Sequence, residues 1–140
     1  MTEKDFEGMF RRSLANSFPR RHRVRKHHAD QYTGAGHPDF YGHIMGIGFE
    51  CELKVTPNRP TDVQITNLIE TVSTGGHAFL LIFDKDKQQA YLIMGALLGT
   101  GFSYRKREGW IILPTMKYKV GTQTTEVLDL YPLRQLLGIA

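Results

Sequence analysis

Read as a strand, Phe49-Glu50-Cys51-Glu52-Leu53-Lys54 alternates strictly between apolar and charged residues. Successive strand side chains take opposite faces, so Phe49, Cys51 and Leu53 share one face and Glu50, Glu52 and Lys54 the other. Two carboxylates and an ammonium then stand in a row at spacings of about 7 Å. Thirteen residues before Glu52, Asp39 follows the turn-forming Gly36-His37-Pro38. A hairpin of residues 39–44 with 48–55, bent at Met45-Gly46, brings Asp39 beside Glu52. Two carboxylates, with water and phosphate oxygens completing the shell, form the oxygen set that Mg²⁺ prefers. A metal there polarises a phosphoryl oxygen and acidifies water. Lys54, one pleat beyond Glu52, orients that water or neutralises charge growing on the phosphate. The plainer readings are a turn aspartate at 39 and a surface Glu52–Lys54 ion pair of little energetic value. Each of the three residue types nonetheless has a chemical reason to be there.

The elements that must position these residues are legible around them. Residues 3–17 read as a helix, with Phe6, Met9, Phe10 and Leu14 at helical spacing, ended by Pro19. Pro57 and Pro60 bracket a loop. Thr61 then reads as an N-cap, with Gln64 three residues on completing a capping box. Ile65, Leu68, Ile69 and Val72 form one apolar stripe, and Gly75-Gly76 stops the helix. A buried strand over 78–83, a charged turn over 84–87 and a strand over 89–94 follow. Further on, 110–113 and 118–120 read as strands, and 132–137 as a short helix with proline in its first turn. The order α-β-β-α-β-β is that of a mixed α/β domain around one sheet.

The chain of 140 residues suits a single domain, 1–140, and 41% apolar content suits a globular fold. No apolar run is long enough to span a bilayer, and the polar start, Met1-Thr2-Glu3-Lys4-Asp5, lacks a signal-peptide layout. Cys51 is the only cysteine, which excludes an internal disulfide and disfavours a thiolate zinc site. A reducing cytoplasm is therefore expected, with no membrane partner. Charge is uneven. Residues 1–28 hold eight Lys/Arg against three Asp/Glu, while the other 112 hold ten against eleven. The basic segment 10–28 contains Arg20, Arg21, Arg23, Arg25 and Lys26 and no acid. Such a block suits a polyanion, because each neutralised phosphate releases a counterion. A solvated basic segment is the bland alternative to this DNA-binding reading.

Pro38-Asp39, a spacer of a dozen residues, and Glu52-Leu53-Lys54 together resemble the PD-(D/E)XK nuclease superfamily. More closely, Gly36-His37-Pro38-Asp39-Phe40-Tyr41-Gly42, the strand over 49–54, Gln64 and Gly75-Gly76-His77-Ala78-Phe79 are similar to two branches. These are the RecU-type Holliday junction resolvases and the VRR-NUC nucleases. The likeness is clear over residues 36–94 and weaker over the first helix. It implies a restriction-endonuclease-like α-β-β-β-α-β core, a mixed central sheet flanked by helices, once the meander gains a third strand. It also implies that Asp39, Glu52 and the Leu53 carbonyl hold Mg²⁺ or Mn²⁺, with Lys54 as the catalytic lysine. Gln64 belongs at the site's edge, and Glu7 resembles the first-helix glutamate that completes the site in resolvase-like members.

The activity so implied is a structure-specific DNA endonuclease, foremost a Holliday junction resolvase of bacterial or phage type. Such a protein cuts two strands of branched DNA as a homodimer, in recombination and repair. The alternative substrate class is flaps, ends or duplex sites, as in VRR-NUC nucleases. A non-catalytic nucleic-acid-binding module on the same fold is the alternative of another class, and the complete Asp39/Glu52/Lys54 set argues against it. Several residues keep two readings. The capping box alone explains Gln64, and Glu7 also suits a solvated first-turn acid. Glu50 departs from the families' usual small or apolar residue. Arg105-Lys106-Arg107 reads equally as a phosphate contact or a charged turn. His37 and His43 lack partners at zinc spacing, and Cys51 reads as core packing.

Overall fold

The computed structural model describes residues 1–26, 40–99 and 102–139. Helix α1 (Glu3–Ser17) precedes an antiparallel meander of β1 (His22–Lys26), β2 (Phe40–Ile44) and β3 (Ile47–Val55). Helix α2 (Asp62–Ser73) crosses to β4 (Ala78–Asp84), which pairs parallel with β3. Strands β5 (Gln89–Met94) and β6 (Ile111–Leu113) add antiparallel, so the six strands lie in chain order. A separate ribbon of β7 (Thr115–Val120) and β8 (Gln123–Leu128) and helix α3 (Tyr131–Leu136) follow. The first elements run α-β-β-β-α-β: the mixed sheet flanked by helices is the restriction-endonuclease-like arrangement that the resemblance implied.

Local chemistry accounts for the elements around the site. Both long helices start with reciprocal capping boxes, Thr2 with Asp5 and Thr61 with Gln64, each satisfying two otherwise orphaned amides. The β2–β3 hairpin closes through Met45 (φ 50°) and Gly46 (φ 82°), with Ile44 facing Ile47. A two-residue loop of this kind needs both φ values positive to match strand twist. At Gly42 any side chain would overlap the Arg23 carbonyl, so glycine is what lets β1 close against β2.

The sheet buries both faces. Phe6, Phe10 and Leu14 of α1 pack with Phe49, Cys51 and Leu53 of β3 on one side. On the other, Leu68 of α2 packs with Leu80, Ile82 and Ile93, flanked by Ile65, Ile69 and Val72 of the expected stripe. Every residue of β4 is buried, as a central strand covered on both faces requires. Burial of this kind contributes roughly 1.5–3 kcal/mol for each large apolar side chain.

The pattern reading needs two additions and small shifts. The missing third strand of the meander is the basic segment itself, since β1 lies within residues 10–28. Strand β8, Gln123-Thr124-Thr125-Glu126-Val127-Leu128, carried too few apolar residues to be foreseen and is held by pairing with β7. The strands expected at 110–113 and 118–120 are Ile111–Leu113 and Thr115–Val120, and the last helix begins one residue early, at Tyr131. Among the described residues, no helix is long and apolar enough to cross a membrane.

Candidate active site

Strand β3 carries Glu50, Glu52 and Lys54 on the face that α2 covers. Glu52 is wholly buried, an expensive place for a carboxylate. Two donors converge on its Oε1: Gln64 Nε2 at 3.0 Å and Lys54 Nζ at 3.5 Å. The Gln64 amide is oriented by its own helix, because its Oε1 accepts the Thr61 backbone N–H at 2.8 Å. Only the oxygen can take that proton, so the NH₂ group is left for Glu52. The cap and the bond to Glu52 are thus made by one and the same amide. Lys54 keeps 14% of its side chain accessible, so the ammonium stands between the buried carboxylate and solvent.

The other expected members are distributed as follows. Asp39 and His37 lie outside the described residues, as do His27 and His28. Asp39 directly precedes Phe40, and Phe40 pairs with Cys51, the residue before Glu52. Glu50, one pleat from Glu52, accepts the Thr71 hydroxyl of α2 at 2.6 Å, which occupies it with helix docking. Glu7 is paired with Arg11 at 3.4 Å and Lys26 at 3.3 Å. It shares with Phe40 and Leu53 a cleft of about 440 Å³ beside α1, so the described contacts do not join it to Glu52, Lys54 and Gln64. His43 is exposed on β2 and Cys51 is fully buried in the core. Among the described residues no group of three or more His, Cys, Asp or Glu side chains gathers as a metal site.

The expected DNA-binding residues separate by strand register. Arg25 faces Tyr41, and Tyr41 faces Glu50. Cross-strand partners project to the same side, so Arg25, with Arg23 two residues earlier, shares the face of Glu50, Glu52 and Lys54. Val24 and Lys26 take the opposite face, where Lys26 meets Glu7 and Val24 meets the α1 core. Arg20 and Arg21 sit exposed in the turn before β1, Arg20 with φ 61°.

A second charged cluster lies farther along the same face. Arg107 bonds Asp84 at 2.8 Å and lies over the rings of Tyr91 and Trp110, each 5.1 Å away. Burial pushes the Asp84 carboxyl up. The Arg107 hydrogen bond, the amides of Lys87 and Asp86 and the Arg107 charge outweigh it, leaving Asp84 below its ordinary value. Arg107 is raised, first by its bond to Asp84. The Arg105-Lys106-Arg107 run therefore divides: Arg107 is an internal brace, while Arg105 and Lys106 are exposed. Nothing in the local sequence links Asp84 to Arg107, which lie on different elements.

Comparison with known proteins leaves this geometry as the main guide. No family model matches the chain, and no curated protein matches it. Among solved structures, the chain is similar to Hjc, a Holliday junction resolvase from Archaeoglobus fulgidus. The two are 11% identical, with 89% of this chain and 90% of that chain covered, at a TM-score of 0.45. A likeness so distant says nothing of the chemistry, which rests on the side chains above.

Proposed function

We propose that the chain is a divalent-metal-dependent endonuclease that hydrolyses phosphodiester bonds in DNA, with branched DNA, foremost a four-way junction, as its substrate. The observation that carries this reading is the wholly buried Glu52 held by Lys54 and Gln64. A buried ion pair is a poor device for stability, since desolvation consumes most of its Coulombic gain. Chemistry gives it a reason to exist. The donor types fit Mg²⁺ or Mn²⁺, which take carboxylate and carbonyl oxygens and retain waters. Glu52, the Leu53 carbonyl and Asp39 would hold the ion, Asp39 entering by its place in the sequence motif. When bound, such an ion polarises the phosphoryl oxygen and acidifies water.

The chain's own residues do the rest. Gln64 fixes the Glu52 carboxylate, and Lys54 presents an ammonium to the phosphate or to the attacking water. Water oxygen adds to phosphorus and a deoxyribose oxygen leaves, while the Lys54 charge offsets negative charge growing on the phosphate. Arg23 and Arg25 on the same face supply phosphate contacts along the strand. The preference for junctions rests on the sequence resemblance to resolvases, whose two cuts require a homodimer.

The test is cleavage of a synthetic four-way junction against the matching linear duplex, with Mg²⁺, Mn²⁺ or EDTA. Metal-dependent cutting that favours the junction is expected, with loss in Asp39→Asn, Glu52→Gln and Lys54→Met. Equal cutting of both substrates removes the junction preference and leaves a nuclease of flaps, ends or duplex. Undiminished cutting by Lys54→Met or Glu52→Gln sinks the site.

A further inference from the structure

Beyond Lys54 the same sheet face opens into a cavity of about 550 Å³, within the usual range for small-ligand sites. Ile82, the register partner of Lys54, lines it, as do Asp84, Tyr104 and Trp110. Thr56, two residues past Lys54, stands on its wall. Two strand residues cover about 7 Å, or roughly two stacked nucleotide steps of about 3.4 Å.

The lining has the chemistry of a stacking platform. The Arg59 guanidinium lies 4.6 Å from the Tyr104 ring centroid, and the Tyr104 and Trp110 rings meet edge to face. Tyr104 carries a buried hydroxyl with no hydrogen-bond partner among the described residues. Burial raises the Tyr104 phenol, so the ring stays neutral. Arg59, Lys87 and Arg105 are exposed cations at the same cavity. Asp86 opposes them, while Asp84 is already neutralised by Arg107.

We propose that this cavity binds one unpaired nucleotide of the DNA, its base against Tyr104 and Trp110 and its phosphates on Arg59 and Arg105. Aromatic faces and guanidinium planes accept any base whose stacking partner is gone. A paired base keeps its stacking faces inside the helix, so fully duplex DNA offers the cavity only backbone. The inference rests on the proposed function in taking DNA as the ligand, and it adds what distinguishes a branch or frayed end from a duplex. A strand engaged at Lys54 reaches the cavity within about two nucleotides, so an unpaired base there selects sites next to a junction or break.

Trp110 is the only tryptophan, which gives the cavity its own optical signal. A short oligothymidylate is titrated in EDTA while Trp110 fluorescence is followed, with a blunt duplex as the second probe. Saturable quenching by the oligothymidylate and little by the duplex is expected. Arg59→Ala, at an exposed loop position, and Tyr104→Leu each weaken oligothymidylate binding by about fivefold or more. Duplex affinity is unchanged in Tyr104→Leu, whereas Arg59→Ala lowers it only by the loss of one backbone contact. No quenching, or wild-type oligothymidylate affinity in both variants, overturns the proposal. Glu52→Gln separates the two readings, because it removes cutting and leaves the quenching intact. A chain that cuts no DNA but is quenched sinks the nuclease reading alone, and one that cuts without quenching sinks the cavity alone.

Discussion

Gln64 joins Thr61 and Glu52 through one amide: its oxygen accepts the Thr61 N–H at 2.8 Å while its nitrogen donates to Glu52 Oε1 at 3.0 Å. The start of α2 therefore sets the direction of a side-chain amide that meets the buried carboxylate. Two substitutions separate the functions. Gln64→Ala loses both bonds and costs about 0.5–1.5 kcal/mol through the lost capping bond, with cleavage falling roughly 10- to 100-fold. Gln64→Glu still caps Thr61, but it removes the donor and sets a second carboxylate against Glu52. Its cleavage falls to the same extent while α2 keeps its cap. Thermal melts with single-turnover cleavage read both effects, and wild-type rates in Gln64→Glu refute the positioning role.

The parts of the fold that were legible are those where one period dominates. Ile65, Leu68, Ile69 and Val72 repeat at helical spacing, and Phe49 to Lys54 alternate at strand spacing, so both elements and both faces followed from pattern. β1 did not, because Val24 is its only apolar residue and cations mask the period; pairing with β2 and the glycine at 42 hold it. The chemistry proposed for Asp39, Glu52 and Lys54 comes from residue types, and the structure adds the Glu52–Lys54 pair. That Gln64 caps and positions at once was not readable, because it depends on which amide atom meets which partner. The Asp84–Arg107 brace was also hidden, since its members lie 23 positions apart.

Ser13 shows what a mid-helix hydroxyl contributes. It is fully buried, donates to the Met9 carbonyl at 2.6 Å and accepts the Leu128 N–H at 2.8 Å. That second bond ties α1 to β8 across 115 residues of sequence. Ser13→Ala leaves a buried amide without its acceptor, a loss of about 1–3 kcal/mol. Urea unfolding measures it; a midpoint unchanged from wild type shows that Leu128 finds another partner.

Asp84 makes stability fall in acid. Its folded-state pKa lies below the ordinary 3.8, so its contribution is complete above that value. The contribution is lost as pH drops through the lowered folded value, where the carboxylate takes up a proton. Asp84→Asn removes about 1.5–3 kcal/mol at neutral pH, the worth of a hydrogen bond to a charged group. It also flattens the acid limb of a plot of melting temperature against pH. Equal acid slopes in wild type and variant assign that limb to other carboxylates.

Arg23 and Arg25 give the proposed DNA track its most direct test. Both share the face of Glu52 and Lys54, whereas Lys26 is turned toward Glu7. If each arginine neutralises one phosphate, Arg23→Ala and Arg25→Ala each lower the slope of log affinity against log salt by about one. Lys26→Ala lowers it less, since its ammonium is already engaged 3.3 Å from Glu7. Anisotropy titrations of a junction onto a Glu52→Gln background measure binding without cutting. The losses should be alike across DNA sequences, because phosphate contacts carry no base information. A slope unchanged by both substitutions means that these arginines serve the sheet instead. Charged side chains on an edge strand oppose pairing with another chain, and the variants then self-associate with their DNA affinity intact.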